Sequence, residues 1–323
     1  MIAVLRMSKY LHDLKEFPEL LSILERETQI LAGLIEKDYW IMHVLHGLKE
    51  QGFSFEMKGG TSLSKGYKII NRFSEDIDIQ INPPEELKVE ANPKKTKEAA
   101  VESRKNYYDW LVSEIKIDGI ISIERDTAFD NTTTYNSGGI RLYYKNQTEK
   151  VAGMKEGILL EVGFDTVTPN EKLTISSWAY DKAANTPGIS ILDNRAVDIA
   201  CYHPGYTFVE KLQTIATKYR IEKEKGKPYP NLMRQYYDVY SLLDNTMVQE
   251  FIGTEAYQEH KKARFTGKEK GIVIADTEAF LLQNPEEREE FRKRYKATSA
   301  LYYNGQPEFD ELLDRINKNI DRL

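Results

Sequence analysis

Two pairs of residues early in the chain have the types and spacing of a phosphate and metal site. Gly59 and Gly60 stand side by side, and Asp76 and Asp78 follow in the run DIDIQI, which alternates strictly between polar and apolar residues. Because successive side chains of a strand point to opposite faces, this alternation places the two aspartates next to each other on one face. Neighbouring carboxylates repel each other unless a cation lies between them, and Mg²⁺ prefers oxygen ligands of this kind. The aspartates are therefore predicted Mg²⁺ ligands.

A short strand and a helix start are predicted to position the glycine pair. Residues 53–57 alternate between apolar and polar types as a strand does, and the glycines break this strand and open a helix over about residues 61–70. The start of a helix carries backbone N–H groups and the positive end of the helix dipole, and both favour a phosphate. The predicted nucleotide-binding residues are Gly59, Gly60, Thr61, Ser62 and Lys65, with a solvated surface position as the alternative for Lys65.

Each pattern alone also has a plain structural explanation, because Gly-Gly is usually a turn and Asp-x-Asp is usually a solvated strand face. The combination, with a strand before and after it, resembles the nucleotidyltransferase superfamily. More closely, the stretches KGGTSLSKGY and RFSEDIDI resemble the AbiEii/AbiGii toxin family. The resemblance implies the toxin half of a bacterial toxin–antitoxin or abortive-infection system, which serves in phage defence. It also implies an enzyme that transfers a nucleoside monophosphate from an NTP to an acceptor.

Glu161 is the candidate for a third acidic residue. It interrupts the run Ile158–Val162, which is the most apolar of the predicted strands and is expected to be central in the sheet. A carboxylate within such a run is costly unless it is paired or bound to a metal. In the family that the chain resembles, a strand beside the Asp-x-Asp strand supplies a third carboxylate. The resemblance therefore implies Asp76, Asp78 and Glu161 as ligands of two Mg²⁺ ions, with Asp165 as a competing candidate for the third position.

Two later residues match further landmarks of the same family. Lys211 lies in Glu-Lys-Leu on a predicted helix, and the resemblance implies that it offsets charge on the triphosphate. A surface lysine paired with a carboxylate is the alternative. Asp238 follows Arg234 by four residues, so both face one side of a helix and could form a simple salt bridge. The resemblance instead makes Asp238 part of the active site, where it either orients Lys211 or takes part in proton transfer.

Length and composition are those of a globular protein with one large or two smaller domains: 323 residues, 41% hydrophobic and 30% charged. The net charge of −6 argues against a protein wholly wrapped in nucleic acid, but it is compatible with a local basic groove. The single cysteine, Cys201, fits a reducing compartment, and no apolar run has the length of a membrane span. The sequence therefore predicts a cytoplasmic protein without a membrane partner.

Predicted strands lie in the first two-thirds of the chain and predicted helices dominate the last third. The strands after the Asp-x-Asp strand are expected at residues 120–124, 139–144, 157–164 and 173–178. The expected fold is α+β, with a nucleotidyltransferase-like mixed sheet core, a helix-rich C-terminal part and one active-site cleft between them. The expected domains are residues 1–52 (N-terminal helices), 53–200 (nucleotidyltransferase core) and 201–323 (helical C-terminal domain). Glu36-Lys37-Asp38 is expected to be a solvated helix start.

The resemblance also implies partners. Some members of the family add nucleotides to the 3′ end of tRNA, so a tRNA is the expected acceptor and a protein hydroxyl is the alternative. The basic run Lys218–Lys227 directly follows the helix of Lys211 and could border such a substrate. A cognate antitoxin encoded nearby is the other expected partner. Two hypotheses from other classes stay open: a module that binds GTP without turnover, and a structural protein that binds no nucleotide.

Overall fold

The computed structural model of the chain describes residues 9–151 and 153–323. The chain divides into two compact units. The first unit runs to Gly66 and resumes with Ser74–Cys201, and the second comprises Tyr67–Phe73 and Tyr202–Leu323. The glycine pair and the two aspartates therefore belong to the same unit, although a short segment of the second unit separates them in the sequence.

Among the described residues, a seven-stranded mixed sheet is the frame of the first unit. Its strands are β1 (Phe55–Lys58), β2 (Asp76–Ile81), β3 (Ile120–Arg125), β4 (Ser137–Tyr144), β5 (Ile158–Gly163), β6 (Asn170–Ile175) and β7 (Ala196–Tyr202). The order across the sheet is β3-β4-β5-β2-β1-β7-β6, so β2 is central. β2 pairs antiparallel with β1 and parallel with β5, which in turn pairs antiparallel with β4.

The alternation of β2 separates a core face from a polar face. Ile77, Ile79 and Ile81 are completely buried, whereas Asp76 and Asp78 lie half-buried on the other face. The neighbouring strand β5 is buried along its whole length except at its fourth residue, which is the glutamate. The sequence predicts that this strand is central; in the structure the middle strand is β2, and β5 lies next to it, between β4 and β2.

Helices pack around this sheet: α1 (Phe17–Thr28), α2 (Ala32–Glu50), α3 (Gly59–Thr61), α4 (Glu98–Glu114) and α5 (Trp178–Ala184). The helix that opens at the glycine pair is shorter than the sequence predicts. α3 passes into a π-helical turn over Ser62–Gly66, and the chain then leaves the helical path. Lys68 has a φ of 56°, which is the left-handed region, so a right-handed helix cannot continue through it.

The segment after β6 also departs from the sequence prediction. The strand expected at residues 173–178 ends at Ile175, and Ser177 caps α5 by accepting a hydrogen bond from the N–H of Tyr180. β7 has no predicted counterpart, because its polar and apolar residues do not alternate regularly. Asp198 has a φ of 54° and shifts the phase of burial along this strand.

The second unit is helical. Its helices are α6 (Pro204–Lys225), α7 (Leu232–Leu242), α8 (Thr246–Phe251), α9 (Glu255–Arg264), α10 (Glu278–Leu281), α11 (Pro285–Lys296) and α12 (Phe309–Asn319). α6 packs through the completely buried side chains of Phe208, Leu212 and Ile215, as its apolar stripe predicts. The sheet of the first unit and the helices of the second confirm the α+β prediction. No helix among the described residues is both long and apolar enough to span a bilayer.

Candidate active site

Three carboxylates meet on the polar face of the sheet in the first unit. In the parallel pairing of β2 with β5, Asp78 lies opposite Glu161 and Asp76 lies opposite Leu159. Opposed residues of paired strands point to the same face, so Glu161 stands beside the two aspartates. The structure thus brings together all three residues that the sequence and the resemblance assign as metal ligands.

The electrostatics of this group favour a bound cation. Burial, followed by the charges of Asp78 and Asp76, raises the pKa of Glu161 to about 7, against the opposing effect of Lys155 and Lys58. A carboxyl whose charged form is disfavoured by burial and by like charges is stabilised when a cation joins it. One oxygen, Oδ1 of Asp76, is buried and accepts no hydrogen bond from the described residues. A hard divalent cation would satisfy this oxygen and relieve the repulsion, and carboxylate oxygens are the donor type that Mg²⁺ prefers.

Two lysines lie at the edges of the carboxylate group. The ammonium of Lys155 is 2.7 Å from Oδ2 of Asp76, and that of Lys58 is 3.4 Å from Oδ2 of Asp165. Asp165, the competing candidate for the third carboxylate, is therefore the partner of a lysine at the rim. Nothing in the sequence singles out Lys155, because it precedes β5 in a segment without a motif.

The glycine turn fits tightly against β2. Gly59 has a φ of 72°, and a Cβ at this residue would lie 2.1 Å from Oδ2 of Asp78, so only glycine fits here. The hydroxyl of Thr61 donates a short hydrogen bond to the backbone carbonyl of Asp76. Gly60, Thr61 and Ser62 are buried. The turn therefore contacts both aspartates of β2, one through its side chain and the other through its backbone.

The charged start of α2 is buried, which makes the prediction of a solvated helix start wrong. Glu36, Lys37 and Asp38 are each at most 1% exposed. The reason is that each has partners in a different segment of the first unit. The carboxylate of Glu36 accepts hydrogen bonds from the N–H groups of Gln147 and Thr148, at 2.7 and 3.0 Å. Buried charges are tolerated where such partners exist.

Lys37 and Asp38 also have partners in other segments of the first unit, and Lys37 contacts residues beside the candidate site. The ammonium of Lys37 lies 3.3 Å from Oε2 of Glu75 and donates a 2.7 Å hydrogen bond to the carbonyl of Lys155. Asp38 binds the ammonium of Lys65 at 2.6 Å. Asp38 also accepts a hydrogen bond from the N–H of Trp178 at 2.9 Å, and the lysine lies 5.0 Å from the centroid of the same tryptophan ring. Lys65 is thus engaged in a mostly buried ion pair.

The second unit contains a different charged group, built around Asp238 of α7. Its carboxylate is completely buried and receives two hydrogen bonds from Arg72, at 2.6 and 2.7 Å. The ammonium of Lys211 on α6 lies 2.9 Å from Oδ2 of the same carboxylate. Burial alone would raise the pKa of Asp238, but the charges of Arg72 and Lys211 outweigh it and lower the pKa below its ordinary value. The structure therefore brings Lys211 and Asp238 together, with the aspartate held ionised.

Arg72 is a residue that sequence reasoning missed. It lies within the stretch RFSEDIDI, four residues before Asp76, but neither periodicity nor spacing connects it with Asp238, which is 166 residues away. The sequence offers Arg234 as the partner of Asp238 because the two are four apart on a helix. In the structure the bidentate partner is Arg72, whose planar guanidinium matches a carboxylate.

A mixed sheet that presents a glycine turn and three carboxylates on neighbouring strands is the arrangement that the resemblance to nucleotidyltransferases implies. The family described as "Nucleotidyl transferase AbiEii toxin, Type IV TA system" matches residues 46–315, so the chain belongs to the AbiEii family. The chain is accordingly a nucleotidyltransferase of a toxin–antitoxin family, with an NTP as its substrate and an antitoxin as its implied partner.

Solved structures provide distant similarities. The chain is similar to JHP933 from Helicobacter pylori, with 14% identity, a TM-score of 0.44, and coverage of 90% of this chain and 93% of that one. It is also similar to an antigenic nucleotidyltransferase-like protein from Paracoccidioides brasiliensis, with 13% identity, a TM-score of 0.38, and coverage of 83% and 98%. A search of curated proteins finds no match.

Proposed function

We propose that this chain transfers a nucleoside monophosphate from an NTP to an acceptor hydroxyl in a Mg²⁺-dependent reaction, and that the acceptor is the 3′ end of a tRNA. The observation that carries the chemistry is the group of three carboxylates on β2 and β5, with Glu161 directly opposite Asp78. Like charges so close together are expensive in a folded protein unless a cation binds them. The acceptor is supported by the family resemblance.

In the proposed reaction the oxygen of the acceptor hydroxyl forms a bond to the α-phosphorus of the NTP. The bond from that phosphorus to the bridging oxygen of the β-phosphate breaks, and pyrophosphate leaves with the electron pair while the hydroxyl proton passes to water. Asp76, Asp78 and Glu161 would hold the Mg²⁺ ions. Bound there, Mg²⁺ lowers the pKa of the attacking hydroxyl and stabilises the leaving oxygen.

The glycine turn is the proposed contact for the β- and γ-phosphates. The hydroxyl of Thr61 donates its hydrogen bond to the carbonyl of Asp76, and Ser62 is only 1% exposed. Neither side chain is therefore directed to solvent. We therefore assign the phosphate contact to backbone N–H groups of the turn, at Gly60 and Thr61, after a Gly59 that brings the backbone close to Asp78. Lys65 forms an ion pair with Asp38, so we expect it to stabilise the turn rather than to contact phosphate.

Lys211 and Asp238 keep their proposed roles from the family resemblance. Lys211 would offset negative charge on the triphosphate, which is a common role of lysine in phosphoryl transfer. Of the two roles open for Asp238, orientation of Lys211 is the better supported. A carboxylate whose pKa is lowered and which already binds Arg72 and Lys211 is a poor proton acceptor.

The basic run Lys218–Lys227 gives the tRNA assignment less support than its sequence suggests. Arg220 binds Glu224 and Glu269 at 2.9 and 2.5 Å, and Lys223 binds Glu287 at 2.5 Å. Lys225 and Lys227 are exposed and are the members of the run that would contact RNA phosphates. The assignment of the acceptor therefore rests mainly on the resemblance.

The chemistry is tested with purified protein, Mg²⁺, total cell extract and each labelled NTP in turn. We expect label to be incorporated by the wild-type chain and to be lost in the Asp76→Ala, Asp78→Ala double variant. Incorporation by the double variant would refute the mechanism. Expression of the wild-type chain should arrest bacterial growth, and Asp78→Ala should relieve the arrest.

The acceptor is tested by digestion of the labelled products. Label that migrates with small RNA and disappears with RNase would support the tRNA assignment. Label that survives RNase and disappears with protease would refute it in favour of a protein acceptor, while leaving the nucleotidyltransferase chemistry intact.

A further inference from the structure

Lys155 is a cation that contacts one of the candidate metal ligands in the first unit. Its ammonium lies 2.7 Å from Oδ2 of Asp76 and 4.7 Å from the centroid of the Phe129 ring. The side chain is 32% exposed, so it is neither fixed in the core nor free in solvent.

The backbone of Lys155 is held from two sides by buried charges. Its N–H donates to Oε2 of Glu75 at 3.1 Å, and its carbonyl accepts from the ammonium of Lys37 at 2.7 Å. Lys37 and Glu75 also pair with each other at 3.3 Å, and their side chains are 1% and 9% exposed. Such a buried pair costs desolvation energy and is retained where it fixes a geometry. Here the pair fixes the backbone of Lys155, from which the side chain extends.

A lysine at Asp76 and a metal ion at Asp76 compete for the same charge. Two cations near one carboxylate repel each other, and the repulsion is stronger at a partly buried site than in bulk water. A metal ion that joins Asp76 through Oδ1 therefore repels the ammonium from Oδ2, and the ammonium then needs another anion. In a nucleotidyltransferase the new anion at this place is the triphosphate.

We infer that Lys155 is a phosphate-binding residue that holds Asp76 in the nucleotide-free protein and moves to the phosphates of the NTP when Mg²⁺ takes its place. The inference rests on the proposed function, because it assumes that Asp76 is a metal ligand. Lysine suits this exchange, since its ammonium is a compact charge on a flexible four-carbon stem. Lys37 and Glu75 act as positioning residues, because they hold the backbone while the side chain moves.

If the ammonium moves in this way, Lys155→Met should strengthen the binding of Mg²⁺ and weaken the binding of the nucleotide. Without nucleotide, loss of the competing ammonium should make MgCl₂ bind about tenfold more tightly. With Mg²⁺ present, a non-hydrolysable NTP analogue should bind about tenfold more weakly, because the phosphates lose a cation. Both affinities are measured by calorimetry on the full chain. Lys155→Arg should keep both within about threefold of the wild type, because the charge is retained.

Lys150→Met is the matched control. Lys150 lies in the same segment, is 76% exposed and pairs with Glu156 at the surface, so its loss should change neither affinity. Glu75→Gln supplies a second variant, which should weaken analogue binding while leaving the Lys155 side chain intact. A Lys155→Met protein in which both affinities fall, or in which neither changes, would overturn the inference, because a merely structural lysine would not raise one and lower the other.

Failure of the proposed function would look different. If the wild-type chain binds no NTP analogue, the nucleotidyltransferase proposal itself is refuted, and the phosphate half of the inference falls with it. If the wild type binds the analogue but Lys155→Met binds it equally well, the proposed function stands and the role of Lys155 is refuted.

Discussion

The two units contain carboxylates in opposite electrostatic situations. In the first unit Asp76, Asp78 and Glu161 stand together, and the pKa of Glu161 is raised to about 7. In the second unit the single carboxylate of Asp238 binds two cations, Arg72 and Lys211, and its pKa is lowered. The first group places three carboxylates on one face of the sheet, whereas in the second a single carboxylate binds two cations.

This difference separates carboxylates that repel one another from a carboxylate that neighbouring cations stabilise. A carboxylate with a full set of partners contributes to the fold and loses stability when a partner is removed. A group of like charges on one face costs stability, and its presence is explained by something that it binds. The comparison therefore predicts that equivalent substitutions in the two groups have opposite effects on stability.

The largest effect is expected at Asp238. The change Asp238→Asn leaves the buried guanidinium of Arg72 and the ammonium of Lys211 without their counter-charge, so the free energy of unfolding should fall by about 3–5 kcal/mol. Denaturant unfolding of the two proteins measures this. The control is Asp244→Asn, whose carboxylate is 77% exposed and 3.6 Å from Arg315, and it should cost less than about 0.5 kcal/mol. Equal stability of Asp238→Asn and the wild type would contradict the comparison.

A smaller effect is expected where the glycine turn touches the carboxylate group. Gly59→Ala places an alanine in the left-handed region, which costs about 1–2 kcal/mol, and also creates a clash with Asp78. The free energy of unfolding should therefore fall by about 2–3 kcal/mol. Nucleotidyl transfer should be lost as well. Gly188→Ala is the matched control, because Gly188 has a φ of 84° and open space around it. Gly188→Ala should lower the free energy of unfolding only by the cost of the left-handed backbone, and it should retain nucleotidyl transfer. The two are compared by denaturant unfolding and by label transfer, and equal activity of the two variants would argue against a tight fit at Asp78.

The smallest effect concerns Glu161 and has the opposite sign. A carboxyl whose pKa is raised by folding stabilises the protein fully below its unfolded pKa, and this contribution is lost as pH rises through about 7. Glu161→Gln does not titrate, so in a chelator the variant should gain about 1–2 kcal/mol over the wild type at pH 8 and almost nothing at pH 4 to 5. Thermal unfolding at the two pH values measures this gain. A difference that is the same at both pH values would show that the repulsion is not the cause.

Local patterns made part of this site predictable. Strand alternation is a property of neighbouring residues, so Asp76 and Asp78 could be placed on one face from DIDIQI alone, and the apolar run around Glu161 gave its strand. Lys155, Glu75 and Arg72 could not be found in this way, because their roles depend on partners far away in the sequence. Glu36-Lys37-Asp38 was mistaken for a solvated surface for the same reason: its burial depends on the segments around Thr148, Glu75 and Lys65, which periodicity does not report.

The early end of the helix after the glycine pair and the strand β7 were not predicted, and both have the same cause. The helix after the glycine pair is cut short where Lys68 adopts a left-handed backbone, and β7 loses its alternation at Asp198, which does the same. Single residues in this conformation leave little trace in the pattern of apolar side chains. The boundaries of elements are therefore harder to obtain from the sequence than the strands that carry the carboxylates.

The central claim is that the carboxylates of the first unit are balanced by a bound cation, and one measurement tests it most directly. The melting temperatures of the wild type and of the Asp76→Asn, Asp78→Asn double variant are compared in a chelator and in Mg²⁺. The account predicts that the variant is the more stable of the two in chelator. It also predicts that Mg²⁺ at about 100 times its Kd stabilises the wild type by about 2.7 kcal/mol and leaves the variant unchanged. Equal stabilisation of both proteins by Mg²⁺, or none of the wild type, would contradict the claim.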